Sequence, residues 1–403
     1  MSDDVKLIER RALSQPRADV PPLPGPLEAA VQRFEAPARR ELRRLIRSSP
    51  KLADLVTVFP GLLYALATRR CTAAARFQAL ALIESGAQLK VVARALDFPM
   101  WLRRLPPEAL VELPPALPLS EGFGRRIATR MPKAPSESAF WLSSVLFAEQ
   151  ACHEPLALWL AEQPIFTDTG HADKQFAVLA AYAWFSGAPE TAASKLIVVP
   201  WRPEVAFDTA LCAAKSWFNR VRLVLQLPSG ALTDPWLKPG GAMGYTFDPL
   251  LDHGEILTEA QAMQNCADQY AERLVRDKCR LFSVKRNGQR VATLEVGPHQ
   301  REAGVLALNQ LKARHNMAAT NEVWQAAYLW LSGQNGLKRI PPLSACDKSF
   351  DQKAWANLMQ PYRASKGGAL WFDDCASHLM FACFDAELSD LARRGGVSSW
   401  LFT

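Results

Sequence analysis

Long apolar runs are scarce in this 403-residue chain. The longest charge-free stretches, 55–68 and 176–189, are too short or too interrupted by Pro and Gly to serve as the roughly 20-residue apolar span that a bilayer requires. No transmembrane helix and no membrane partner are expected. The first residues, with Asp3, Asp4, Lys6 and Glu9, lack the apolar core of a secretory signal, so the cytoplasm is the expected location. The eight cysteines show no repeated close spacing, which excludes a disulfide framework and leaves most of them as small buried residues. Histidine is also sparse, at six, and the neighbours Cys152-His153 and Cys375/His378 have no second ligand pair at finger-like spacing, so no metal site is expected. There is no Gly-x-x-x-x-Gly-Lys-Ser/Thr loop, no Gly-x-Gly-x-x-Gly after a strand and no His-Glu-x-x-His. Nucleotide, dinucleotide and zinc-protease chemistry therefore lack their usual anchors, and no cofactor is expected.

What the chain does have is an ordinary globular composition, 49% hydrophobic and 22% charged, at a length that calls for two or three cores. Its net charge of +7 is uneven. Residues 1–130 hold 21 Lys/Arg against 13 Asp/Glu, a surplus of 8, so the remainder carries −1. A basic half beside a neutral half suits an anionic partner on the N-terminal part.

Residues 1–26 carry Pro16, Pro21, Pro22, Pro24 and Pro26 among charges and read as a Pro-rich arm. A basic helical domain over 27–118 follows. Its first helical pattern, 27–48, is kinked or split at Pro37. Arg39, Arg43 and Arg47 recur at i, i+4 and i+8, with Arg40 and Arg44 on the adjoining row, so five guanidinium groups share one side. This patch is either a solvated helix face or a grip on the phosphates of DNA or RNA. After the Pro-rich passage 99–118, apolar and Trp-rich segments at helical spacing suggest a helical array over 119–235, with Trp141, Trp159, Trp184, Trp201 and Trp217 as core fillers. A concentration of Gly and Pro over 228–254 marks a boundary. The last module spans 250–403.

In that module the form Thr258-Glu259-Ala260-Gln261 predicts a helix start, running to about 277. Asn287-Gly288 predicts a hairpin between strands at 281–286 and 290–296, a third strand falls at 305–312, and a second amphipathic helix at 320–331. A helix near 353–359, a strand at 368–372 and a helix at 373–393 form a C-terminal extension. The expected fold class is α+β, predominantly α-helical: a helical N-terminal region, then a small α-β-β-β-α module with a short antiparallel sheet.

Cys266 and Tyr270 at i and i+4, Lys285-Arg286 ending the first strand, Thr293-Leu294-Glu295-Val296 in the second, and Gln310 with Asn316 six residues later together resemble the PcfJ-like family over about residues 258–333. Asn265 stands where that family usually has His before the Cys, and Ala313-Arg314 where it often has Gly. The resemblance implies an accessory protein of a mobile genetic element, related to conjugation, plasmids or phage, with protein partners of that element.

Independently of the family, Cys266 and Tyr270 would face the same way on one helix. Alternation puts Thr293 and Glu295 on one strand face, and Leu306, Leu308, Gln310 and Lys312 on one face of theirs. The cluster Cys266, Tyr270, Arg286, Glu295, Gln310 and Asn316 is thus a structural hydrogen-bond network, a ligand site, or a catalytic centre with Cys266 as nucleophile. Two functional readings follow. One is a non-enzymatic protein binding nucleic acid through Arg39–Arg47; the other is a cysteine-dependent enzyme or small-ligand module centred on Cys266.

Overall fold

The computed structural model describes residues 21–68, 70–111, 113, 117–118, 120–132, 134–163, 177–188, 190–227, 232–338, 352–366 and 392–393. The expected strand at 368–372 and nearly all of the expected helix at 373–393 lie outside them. Contacts divide the chain into two compact units, Met1–Asp173 and Lys174–Thr403. That division falls inside the stretch read as one helical array.

In the first unit the described elements are α1 (Gly25–Gln32), α2 (Ala36–Ser48), α3 (Pro50–Val58), α4 (Pro60–Thr68), α5 (Ala73–Glu84), α6 (Leu89–Ala95), α7 (Glu121–Ala128), α8 (Pro135–Ala151) and α9 (Glu154–Ala161), with two short 3-10 turns after α6. Pro37 sits in the first turn of α2, where its missing N–H is harmless, and so it separates α1 from α2. Phe34, Leu42, Phe59, Leu62, Trp101, Phe123 and Trp141 are buried, and Trp101 meets Phe123 edge to face at 6.0 Å.

The second unit contains α10 (Ala177–Gly187), α11 (Phe207–Gln226), β1 (Gly240–Ala242), β2 (Tyr245–Pro249), α12 (His253–Met263), α13 (Ala271–Val275), β3 (Arg280–Arg286), β4 (Gln289–Pro298), β5 (Leu306–Lys312), α14 (Asn321–Ser332) and α15 (Gln352–Lys366). The strands form one open antiparallel sheet in the order β1-β2-β3-β4-β5. The chain is therefore α+β with a helical N-terminal region, but the sheet has five strands and not three. The two unforeseen ones lie in the Gly/Pro-rich boundary. Met243 and Gly244, both at positive φ, turn a tight hairpin there, and Tyr245 and Phe247 alternate with polar neighbours.

The expectation of an all-helical N-terminal domain followed by a separate accessory module is likewise corrected. Helix α11, read as part of the array, belongs to the same unit as the sheet and packs on α12 and α13. Its Leu223, and Leu227 just past its end, join Ile256, Ala260, Leu274 and Leu281 in one apolar cluster. On the opposite face of the sheet, Phe247, Phe282, Val284, Leu294, Val296 and Leu311 pack under α14. The α14 residues Val323, Ala326, Ala327 and Trp330 recur at i, i+3, i+4 and i+7, the apolar stripe of an amphipathic helix. Trp330 stacks on Phe247 at 4.6 Å and meets Phe282 at 5.1 Å. The sheet thus separates two cores.

Helix α12 begins five residues before the expected start. Asp252 accepts the Glu255 amide at 2.9 Å while the Glu255 carboxylate accepts the Leu251 amide at 2.6 Å, a reciprocal cap that outranks the one at Thr258. The Thr258 hydroxyl instead donates to the Gly254 carbonyl one turn back. The helix stops at Met263 because Gln264 turns left-handed, with φ at 49°. Cys266 and Tyr270 consequently flank a 3-10 turn, Ala267–Gln269, and do not share the helix expected to run to 277.

Candidate functional site

The polar cluster forms where that turn meets the open-edge half of the sheet. Strand β4 points Thr293 and Glu295 toward α12 and α13, as alternation requires, while Leu294 and Val296 point into the opposite core. Cross-strand pairing sets Gln310 opposite Glu295 and Lys312 opposite Thr293. A β-bulge supplies this arrangement: the register shifts between Glu295 and Val296, which pair with Gln310 and Leu308, so Asn309 is an extra residue. Leu306, Leu308 and Leu311 therefore serve the apolar core, and Gln310 and Lys312 do not share a face with Leu306 and Leu308 as simple alternation expected.

Asn265, Cys266, Tyr270, Thr293, Glu295, Gln310, Lys312 and Asn316 line one small cleft of about 20 Å³, the space of a single water. Five of the six residues expected to converge are among them. The exception is Arg286, at the far end of β3, which lies over the Tyr245 ring at 5.0 Å and pairs with Glu322 at 3.2 Å. Its place in the cluster is corrected: Arg286 is the last residue of β3, where it pairs with Tyr245 of β2, and its side chain goes to Tyr245 and Glu322 and not to the cleft.

The wall of the cleft is charged and satisfied. Glu295, 2% exposed, accepts from the Tyr270 hydroxyl at 2.9 Å and from both terminal nitrogens of Arg273, one at 3.0 Å. The Asn309 amide reaches the same carboxylate at 3.5 Å, and it fits because Gly297 has no Cβ; one built there would lie 2.2 Å from that amide nitrogen. A second carboxylate, Glu259, is 0% exposed and accepts from Thr293 Oγ1 at 2.7 Å and Arg290 Nε at 2.8 Å. Asn265 donates to Thr293 Oγ1 at 2.7 Å and accepts the Ala267 amide at 3.1 Å, which fixes the turn. The turn is further held by Asp268, which pairs with Arg220 of α11 at 2.6 Å. Burial raises the Asp268 carboxyl above the usual range, against the pull of Arg220.

Arg273 was not singled out by sequence, Glu259 was read only as part of a capping form, and Asn265 and Lys312 were noted without being placed in the cluster. A signal for Glu259 existed: with Ile256, Ala260 and Met263 it completes an i, i+3, i+4, i+7 stripe, so an acid occupies a core position.

The same geometry bears on catalysis. The Cys266 thiol donates to Asn316 Oδ1 at 3.6 Å, and burial pushes its pKa up, which lowers the thiolate fraction at neutral pH. Burial and then the Glu295 charge push the Tyr270 phenol well above its ordinary value. No histidine lines the cleft. The printed partner of the thiol is an amide oxygen, that of Asn316. Among the described residues no group of His, Cys, Asp and Glu is placed to hold a metal ion, and no helix is long and apolar enough to cross a membrane.

The arginine row of α2 has a different employment. Arg39 donates to the carbonyls of Gln32 and Phe34, both at 2.8 Å, closing the C-terminus of α1. Arg43 forks onto Glu28 at 2.5 and 3.0 Å, and Arg47 donates to the carbonyls of Pro21 and Pro22 at 2.6 and 2.9 Å. These three are a clasp on the segment that precedes them. Arg40 is exposed, and Arg44, 72% exposed, lies 3.7 Å from Glu41.

No family model, curated protein or solved structure matches the chain, so the PcfJ-like resemblance rests on its quoted residues alone and the association with plasmids, conjugation and mobile elements has no support from these comparisons.

Proposed function

We propose that this chain is a non-enzymatic binding protein and that the Cys266 cleft receives a small polar end group, a carboxylate above all. The observation that carries this reading is the layering of the cleft. Its inner layer, Glu295 with Tyr270 and Arg273 and Glu259 with Thr293 and Arg290, is already paired and holds helix on sheet. Its outer layer, Gln310, Lys312 and Asn316, is exposed and presents one cation and two amides toward the opening. Amides and a lysine hold a carboxylate through charge-assisted hydrogen bonds, and a carboxylate at the mouth meets this outer layer without entering a cleft that has room for one water. Chemistry at Cys266 is disfavoured by its protonated thiol.

Titration of the 15N-labelled chain with acetate and with acetamide tests this. Acetate should move the side-chain amide signals of Gln310 and Asn316 saturably and more than acetamide does. Lys312→Gln should abolish the difference, while Cys266→Ser should leave it in place. Signals that stay still through tens of millimolar acetate would reduce the cluster to a packing element.

A further inference from the structure

The mouth of the Cys266 cleft lies beside the outer edge of the sheet. Strand β5 is last in the order β1-β2-β3-β4-β5, so one side of its backbone faces away from β4. The chain itself covers both ends of that side. Lys338 pairs with Val305 at the start, where the Leu306 amide donates to the Leu337 carbonyl at 2.8 Å. Ala318 pairs with Lys312 at the finish, where the Ala313 amide donates to the Met317 carbonyl at 2.8 Å. Among the described residues no strand lies between those two bridges, and 307–310 are half-buried or exposed. Pro298, opposite Leu306, has no N–H to share, and Leu306 turns its amide outward; by the alternation of an antiparallel pair Leu308, opposite Val296, turns its amide outward into the gap. Open edges are usually blunted by charge or proline, and 306–311 carries neither.

One end of the gap is closed, and it is the end at the cleft. After Lys312 the chain turns through Arg314–Asn316, with His315 and Asn316 both at φ of 58°, and comes back beside β5 to the Ala318 bridge. A strand laid in the gap must stop at this turn. Gln310, Lys312 and Asn316, the exposed outer layer of the cleft, stand at that end together with exposed Arg314. Cations there attract the carboxylate that ends a chain and repel the ammonium that begins one.

We infer that this edge receives the C-terminus of a peptide as an added strand, parallel to β5, with its terminal carboxylate at Gln310, Lys312 and Asn316. The assignment rests on the carboxylate reading of the cleft and identifies what bears that carboxylate. Backbone hydrogen bonds at Leu308 accept many sequences, and the closed end selects a free terminus. An internal segment of a chain has no carboxylate to offer and collides with the turn.

The probe is an N-acetylated pentapeptide of valine and threonine, compared on the full 15N-labelled chain with its own C-terminal amide and with acetate. The free acid should bind about tenfold more tightly than either, and should shift the Leu308 backbone amide as well as the side-chain amides of Gln310 and Asn316. N-methylation at two successive peptide amides, one variant at a time, should weaken binding about tenfold at one position and little at the next, since alternate amides of an added strand face β5. If acetate moves Gln310 and Asn316 while the peptide acid binds no more tightly than acetate, the cleft reading stands and the added strand falls. Silence toward acetate and peptide alike removes both. A peptide amide that binds as well as the acid, or two N-methylated peptides that bind equally well, would also overturn the assignment.

Discussion

Removing the guanidinium of Arg273 should destabilise the second unit more than neutralising the carboxylate it serves. Arg273 donates two hydrogen bonds to Glu295, which is 2% exposed, and Tyr270 donates a third. Arg273→Ala strands that carboxylate with the phenol and a distant amide as its donors. Breaking a buried ion pair from one side costs about 3–5 kcal/mol. The Arg273 side chain is 42% exposed, so solvent screens part of the interaction and about 3 kcal/mol is the working figure. Glu295→Gln keeps a carbonyl acceptor and leaves no buried charge; the loss is one charge-assisted hydrogen bond, about 1.5–2 kcal/mol. Adding Glu295→Gln to Arg273→Ala should therefore recover stability relative to Arg273→Ala alone, a non-additivity that a double-mutant cycle reads directly. Because the chain has two units, the assay should be local: urea dependence of amide exchange at Leu294 and Val296, both on β4. An Arg273→Ala variant within about 0.5 kcal/mol of wild type, a spread typical of surface changes, would refute the reasoning. So would a Glu295→Gln variant that loses more than Arg273→Ala.

Other outcomes follow from single contacts. Glu28 is held at about 2 by the Arg43 hydrogen bonds and then by the Leu23 amide; a folded pKa below the unfolded one gives stability that is complete above the ordinary Glu value and is lost as the pH falls toward about 2, so Glu28→Gln should flatten the melting temperature of the first unit over that window. Gly297→Ala should expel the Asn309 amide from beside Glu295 and destabilise the unit by about 1–3 kcal/mol, read by urea unfolding, with Asn309→Ala in the same chain restoring part of it. Trp330→Ala should cost about 3–5 kcal/mol and remove the ring stacked on Phe247, visible as a loss of near-ultraviolet dichroism.

The features legible in the sequence are those that short-range physics decides. Asn287 and Gly288 both adopt positive φ, at 50° and 77°, and the hairpin forms where the dipeptide predicts it. The α14 stripe is local periodicity, and so is the row Arg39, Arg43, Arg47. Partners are another matter. Nothing near the row announces that Glu28 and the carbonyls of Pro21 and Pro22 will occupy it, because those contacts depend on how α1 turns back over α2. Two competing caps, Asp252-x-x-Glu255 and Thr258-x-x-Gln261, were both present, and the first sets where α12 begins; Cys266 is off the helix because Gln264 turns left-handed, which nothing local in the sequence announces. Strands β1 and β2 were hidden because Gly240, Gly241 and Pro249 read as breakers, although Pro249 stands harmlessly at a strand end. The bulge at Asn309 is set by the partner strand, so no reading of β5 alone could have placed Gln310 opposite Glu295.

Alternation along β4 also bears on how the strand finds its partners while folding. Thr293 and Glu295 belong to one face, Leu294 and Val296 to the other, and each face meets an environment hostile to its counterpart. A slip of one residue would drive a carboxylate beneath Trp330 and set leucine against Glu259, a penalty on every misaligned pairing at once. Acids that add little to the depth of the native minimum thereby raise its competitors, and this interior strand of the sheet has a single alignment open to it.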